Sequence, residues 1–190
     1  MRQQVLPVVI SRIRLPPFLK SPDGPDRFQG YSNHMNKAYF AAGCFWGVED
    51  AFRKTPGVIE AVSGYQGGHT ENPTYEAICS GATGHAETVE VLYDPEKVTY
   101  KDLIRKFFSL HDPTQMNRQG PDIGTQYRSA IFYKTDEERA VAEKVKEELT
   151  PNYFPKAIAT EFTKAAVFYP AEEYHQRYFE KHPGRAICHV

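Results

Sequence analysis

KAYFAAGCFWGVEDAFRKTPGVIEAVS, residues 37–63, is the stretch that decides the fold. Lys37 to Ala42 reads as a short buried strand that ends at Gly43. Phe45, Val48 and Phe52 then recur at helical spacing, which predicts a helix over 45–54. Pro56 and Gly57 stop that helix. Val58 to Ser63 is a second strand.

The same pattern recurs further along the chain. Ala86 to Tyr93 is a strand ended by Asp94 and Pro95. Thr99 with Asp102 resembles a capping box, and Leu103, Ile104, Phe107 and Phe108 give the next helix an apolar face. Tyr127 to Lys134 is another strand. This β-α-β-β-α-β series predicts an α+β fold, with a two-layer ferredoxin-like core and additional helices and long loops. A doubly wound sheet is the alternative, but its Gly-x-Gly-x-x-Gly turn is missing. Thr135 with Glu138 caps a further helix to Leu149, residues 157–168 contain a strand, and 170–181 reads as a final helix. Residues 64–85 and 111–126 are long loops, a length that tends to mark function. The first holds a short predicted helix, Pro73 to Cys79, with Asn72 as its N-cap.

A chain of 190 residues suits one domain with a substantial core. A net charge of -1 gives no electrostatic reason to expect nucleic acid or an acidic membrane as partner. No apolar run approaches the length of a membrane span. The cysteines Cys44, Cys79 and Cys188 are odd in number and far apart, unlike a secreted disulfide scaffold. With no C-x-x-C or H-E-x-x-H, no zinc site is signalled. A reducing compartment with one or two working thiols is the simpler reading. Residues 1–35 stand apart, since Arg2, Arg12, Arg14 and Lys20 precede the first acidic residue, Asp23. They read as a disordered arm or as a transit segment, with Pro7, Pro16 and Pro17 against a long amphipathic helix. The ordered domain is expected over 36–190, with a mobile tail from 183. Cytoplasmic localisation is expected, with the mitochondrion as the alternative.

Cys44 follows a strand and opens a helix. Its sulfur is expected where the first backbone N–H groups are unpaired and the helix dipole is positive, a place that stabilises a thiolate. Gly43 and Gly47 let a substrate approach the backbone. Phe45 and Trp46 offer an apolar wall beside the thiol. In the strand 86–93, alternation puts Glu87 on the face of Val89, Val91 and Tyr93. A carboxyl group there is desolvated, its pKa rises, and it can act as a general acid near neutral pH. The competing reading is a strand-end carboxylate turned to solvent. Tyr75 and Tyr127 are phenol donors able to converge with Glu87 on one developing oxygen charge. Cys79 reads as a packed cysteine. Cys188, near the end, has the mobility to attack an oxidised partner.

Gly43-Cys44-Phe45-Trp46-Gly47 closely resembles the GCFWG signature of the A-type peptide methionine sulfoxide reductases. GGHTENPTYEAICSGATGHAE (67–87), HDPTQMNRQGPDIGTQYRS (111–129) and AEEYHQRY (171–178) extend the resemblance over residues 37 to about 188. It implies that Cys44 attacks the sulfoxide sulfur and Glu87 protonates the oxygen, with Tyr75 and Tyr127 as hydrogen-bond donors. Phe45 and Trp46 would hold the substrate methyl group, Asp122 would order the site, and His175 would join the substrate wall. Cys188 would condense with the Cys44 sulfenic acid to a disulfide that thioredoxin, or dithiothreitol, reduces. Substrates would be oxidised proteins, peptides and free methionine S-sulfoxide. No metal or bound organic cofactor is implied, and a monomer is expected. The tail HPGRAICH departs from the common Pro-x-Gly-Tyr form and has room for one cysteine where many members carry two. Two other classes stay open on the residues: a Cys–His hydrolase with His175 or His85 as base, and a redox-sensing binding module.

Overall fold

β1 (Asn36–Ala42) runs through the middle of the sheet, and Phe40 shows why. Its ring is fully buried and stacks on Phe52 at 4.9 Å and on Phe107 at 5.5 Å. Those partners belong to α1 (Phe45–Arg53) and α3 (Tyr100–Ser109). One strand residue therefore joins both helices to the sheet, the apolar contact that the spacing of Phe52 and Phe107 requires. This computed structural model describes residues 35–185; the N-terminal arm and Cys188 lie outside the described residues.

The remaining elements are β2 (Val58–Gln66), α2 (Tyr75–Cys79), β3 (Ala86–Tyr93), β4 (Arg118–Gln119), β5 (Asp122–Ile123), β6 (Ser129–Tyr133), α4 (Asp136–Leu149), β7 (Glu161–Lys164), β8 (Tyr169–Pro170) and α5 (Tyr178–Lys181). Among the described residues the main sheet has the order β7-β6-β1-β3-β2-β8, and β4 pairs with β5. All neighbours in the main sheet are antiparallel except β6 and β7. The fold is thus mixed α and β around a mostly antiparallel sheet. The large core holds residues of α1, α3 and α4 together with one face of the strands. A smaller cluster, Ala41, Ala86, Ala130 and Phe132, occupies the other face. No helix among the described residues is long and apolar enough to cross a membrane.

Several boundaries differ from the sequence expectations for identifiable reasons. β2 runs on to Gln66, because its outer edge pairs with β8 and the Tyr65 hydroxyl finds Glu172 at 2.9 Å. Gly64 permits that pairing, since a Cβ there would lie 2.5 Å from the Tyr169 carbonyl oxygen. α2 starts at Tyr75, not Pro73: Asn72 is left-handed (φ 46°), and Thr74 accepts the Ala77 N–H instead. Residues Thr125–Tyr127 form a 3₁₀ turn, so the strand predicted from Tyr127 begins at Ser129.

The helix predicted over 170–181 is broken into a 3₁₀ turn, Glu173–His175, and the short α5. Arg177 between them is left-handed, with its N–H donated to both Glu49 carboxylate oxygens at 2.9 Å. Gln176 is held by the Ser63 backbone on both its amide atoms. Tertiary hydrogen bonds take the place of helical ones here. Cys79 is exposed rather than packed, because Ile78 takes the core position.

Candidate active site

Gly43 (φ 86°) turns the chain between β1 and α1, a conformation that favours glycine. The turn makes Cys44 the N-cap of α1, with its side chain 8% exposed. Glu87, the second residue of β3, faces the same helix end. Its Oε2 accepts the Phe45 N–H at 2.9 Å, and the residue is 2% exposed. The first N–H of α1 thus serves the carboxyl group. The sequence pattern predicts these N–H groups beside the thiol alone; the structure brings the Cys44 thiol and the Glu87 carboxyl group to one helix terminus.

Burial pushes the Glu87 carboxyl up to about 8, and the negative charge of nearby Asp122 adds to the rise. The Phe45 N–H opposes it, since a bond to the carboxylate favours the charged form. A group with that value is mostly protonated at neutral pH. With Oε2 accepting from Phe45, the acidic proton belongs on Oε1, the oxygen left for a ligand.

Tyr75 opens α2 and Tyr127 closes the 3₁₀ turn after β5. Burial pushes both phenols upward. Tyr75 is raised further by its hydrogen bond to the Cys79 thiol, then by Glu87, and Tyr127 by Glu87, Asp122 and then Cys79. Both hydroxyls stay protonated donors near neutral pH. They are close enough to Glu87 to sense its charge, so the two long loops converge on β3.

An aromatic group closes the other side. The Trp46 indole stacks on Tyr178 at 3.6 Å and 4°, and its N–H donates to His175 Nδ1 at 3.1 Å. Phe45 lies 5.1 Å from the His175 ring and Tyr75 4.3 Å from it. His175 is buried, and that burial lowers its pKa. Accepting at Nδ1 fixes the neutral tautomer with the proton on Nε2. His85 bonds the Gly68 N–H and the Thr70 carbonyl through its two ring nitrogens. His85 thus has both ring nitrogens committed, whereas His175 commits Nδ1 to Trp46 and its buried Nε2 has no hydrogen-bond partner among the described residues. Among the described residues no group of three His, Cys, Asp or Glu side chains is placed to hold a metal ion.

The family model described as peptide methionine sulfoxide reductase matches residues 36–190. The chain belongs to that family. It is 58% identical over 154 residues to the peptide methionine sulfoxide reductase MsrA of Methanothermobacter thermautotrophicus, covering 80% of this chain and 91% of the relative. Among solved structures it resembles reduced Mxr1 from Saccharomyces cerevisiae, with a TM-score of 0.78, 38% identity, and 83% and 92% of the two chains covered. Mxr1 in complex with Trx2 also matches, with a TM-score of 0.57, 28% identity, and 83% and 89% covered.

Residue by residue, the reductase gathers Cys44, Phe45, Trp46, Tyr75, Glu87, Asp122, Tyr127 and His175 at one end of the sheet. Sequence reasoning missed three residues there. Glu172 accepts the Tyr75 N–H at 2.8 Å and the Tyr65 hydroxyl at 2.9 Å. Tyr178 backs Trp46. Glu49, a buried residue of α1, clasps Arg177. The signal available for Glu49 was a charge one residue beyond Val48 on the helix's apolar stripe.

Proposed function

We propose that Cys44 is the nucleophile and Glu87 the general acid of this methionine sulfoxide reductase. The enzyme reduces peptide methionine sulfoxide by thiol chemistry, as its family membership establishes. The roles of single residues rest on one observation above all: a buried carboxyl group, raised to about 8, bonded to the first N–H of the helix that Cys44 caps. Sulfoxide oxygen is a poor leaving group until protonated, so a neutral acid beside a thiolate is the pairing the reaction requires. The Cys44 sulfur attacks the sulfoxide sulfur while the Glu87 proton passes to the oxygen. Tyr75 and Tyr127 donate hydrogen bonds to that oxygen as its charge develops. Phe45 and Trp46 take the methyl group, with Asp122 and His175 ordering the two sides. The protonated oxygen then moves from the methionine sulfur to the Cys44 sulfur as the bond between the two sulfurs breaks, so methionine departs and Cys44 is left as a sulfenic acid.

Recycling follows by loss of water. Cys188 attacks the sulfenic acid, a Cys44–Cys188 disulfide forms, and an external dithiol reduces it. The complex of Mxr1 with Trx2 supports thioredoxin in that role. One chain supplies every residue named, which favours a monomer as the working unit. We further read β6-β1-β3-β2 with α1 and α3 as the ferredoxin-like core. The strand order, with β1 and β2 both antiparallel to β3, supports that reading. The spacing of the cysteines favours a reducing compartment, the cytoplasm before the mitochondrion.

The test is dithiothreitol-dependent reduction of a peptide carrying methionine-S-sulfoxide. Turnover that stops in Cys44→Ser is expected, and retained turnover overturns the assignment. Cys188→Ser is expected to keep one turnover per chain but to lose cycling with thioredoxin. Undiminished cycling would overturn the role of Cys188.

A further inference from the structure

We propose that the cleft between residues 79–82 and 123–126 binds the peptide backbone flanking the methionine sulfoxide. This rests on the reductase reading above and extends it to how a polypeptide substrate is held. The cleft is a shallow depression, widely open to solvent, with a volume of about 450 Å³. That size lies within the usual range for ligand sites, ~300–1,000 Å³.

Its walls run directly into the site. Cys79 lies one helical turn beyond Tyr75 on α2, Ile123 follows Asp122, and Gln126 precedes Tyr127. A chain lying in the cleft therefore runs along the segments that carry the groups proposed to hold the sulfoxide oxygen. Consecutive residues of an extended chain advance by about 3.3–3.6 Å, so neighbours of the oxidised methionine reach these walls while its side chain points toward Cys44.

The lining chemistry selects backbone over side chain. None of residues 79–82 or 123–126 carries a formal charge at neutral pH. Ile123 is an apolar surface 71% exposed. Gln126 is 7% exposed, and its Oε1 has no hydrogen-bond partner among the described residues. A buried acceptor without a donor is costly. The last torsion of a glutamine is soft, so the amide turns to meet an entering peptide N–H. An amide that both donates and accepts matches a peptide group, and an uncharged wall does not discriminate among charged neighbours. This suits an enzyme meeting oxidised methionine in many sequence settings.

The experiment compares two substrates under dithiothreitol: a heptapeptide with central methionine-S-sulfoxide, and N-acetylmethionine-S-sulfoxide, which has no chain to place in the cleft. Ala82→Trp fills the cleft, and Ile123→Ala removes its exposed apolar wall. Ala82→Trp is expected to raise the peptide KM about tenfold and Ile123→Ala about threefold, with kinetics on the N-acetyl compound within twofold of wild type. Parallel losses on both substrates would place the effect in the catalytic site and overturn the proposal, as would an unchanged peptide KM in both variants. A wild-type enzyme that reduces the N-acetyl compound but shows these negative results loses only the cleft. One that reduces neither substrate overturns the parent reading as well.

Discussion

The two sides of the site are built differently. Cys44 and Glu87 sit on a helix terminus and a central strand, joined by a buried hydrogen bond from Phe45 to Glu87. The opposite wall, residues 169–182, is a chain of short turns. It is fastened by Glu49 to Arg177, by Gln176 to Ser63, and by Glu172 to Tyr75. The groups proposed to react thus lie on regular elements, where backbone bonding fixes them. The substrate wall is held by side chains bonding backbone from a distance. Positions on the first side should govern the chemical step, and positions on the second should govern placement and stability.

The contrast breaks or sharpens at four residues. Cys44→Ser should lower single-turnover reduction at least ~10³-fold, because a hydroxyl is not ionised near neutral pH. Glu87→Gln should lower it ~10²-fold, since the amide still donates a hydrogen bond but no proton. The pH profile makes this sharper. If the protonated carboxyl is the active form, as proposed, the wild-type rate should fall as pH rises through about 8, a limb that Glu87→Gln should lack.

Glu172→Ala leaves the Tyr75 N–H and Tyr65 hydroxyl without their acceptor. A loss of ~1–3 kcal/mol in denaturant unfolding is expected, with kcat down several-fold and Glu172→Gln nearer to wild type. A kcat loss greater than that of Glu87→Gln would erase the proposed division. Glu49→Gln should act least on turnover and show itself in stability. Burial pushes Glu49 up to about 7 in the fold. A carboxyl raised on folding contributes stability that is full below its ordinary value and is lost as pH rises through the folded one. The wild-type unfolding midpoint should therefore decline from about pH 5 to pH 7, and the variant should flatten that decline.

The alternation of β3 puts Glu87 on the inward face but leaves a strand-end carboxylate turned to solvent equally open, and the break at Gly43 makes Cys44 legible as a helix opener. Both follow from periodicity, which a single sequence displays. The partition of the helix terminus between them was not legible, because Phe45 and Glu87 are 42 residues apart and meet through a backbone N–H. Residues 170–181 show the opposite failure. Their helical pattern is real in composition, but Arg177, Gln176 and Glu172 take tertiary partners 97 or more residues distant. Local propensity gives way where such bonds are available. Cys79 went wrong for a smaller reason, since in a five-residue helix one position shifts a side chain from core to solvent.

The clasp on Arg177 has a consequence for which changes the chain tolerates. Glu49 grips an N–H, which nearly every amino acid possesses, so the obligation falls on one partner alone. A mutational scan should find position 49 restrictive and position 177 permissive. The exception at 177 should be proline, which has no N–H to offer. Glycine should be among the best accepted, because the left-handed turn there suits it. A segment fastened in this way can vary its surface while keeping its path, and the pocket it walls stays the same.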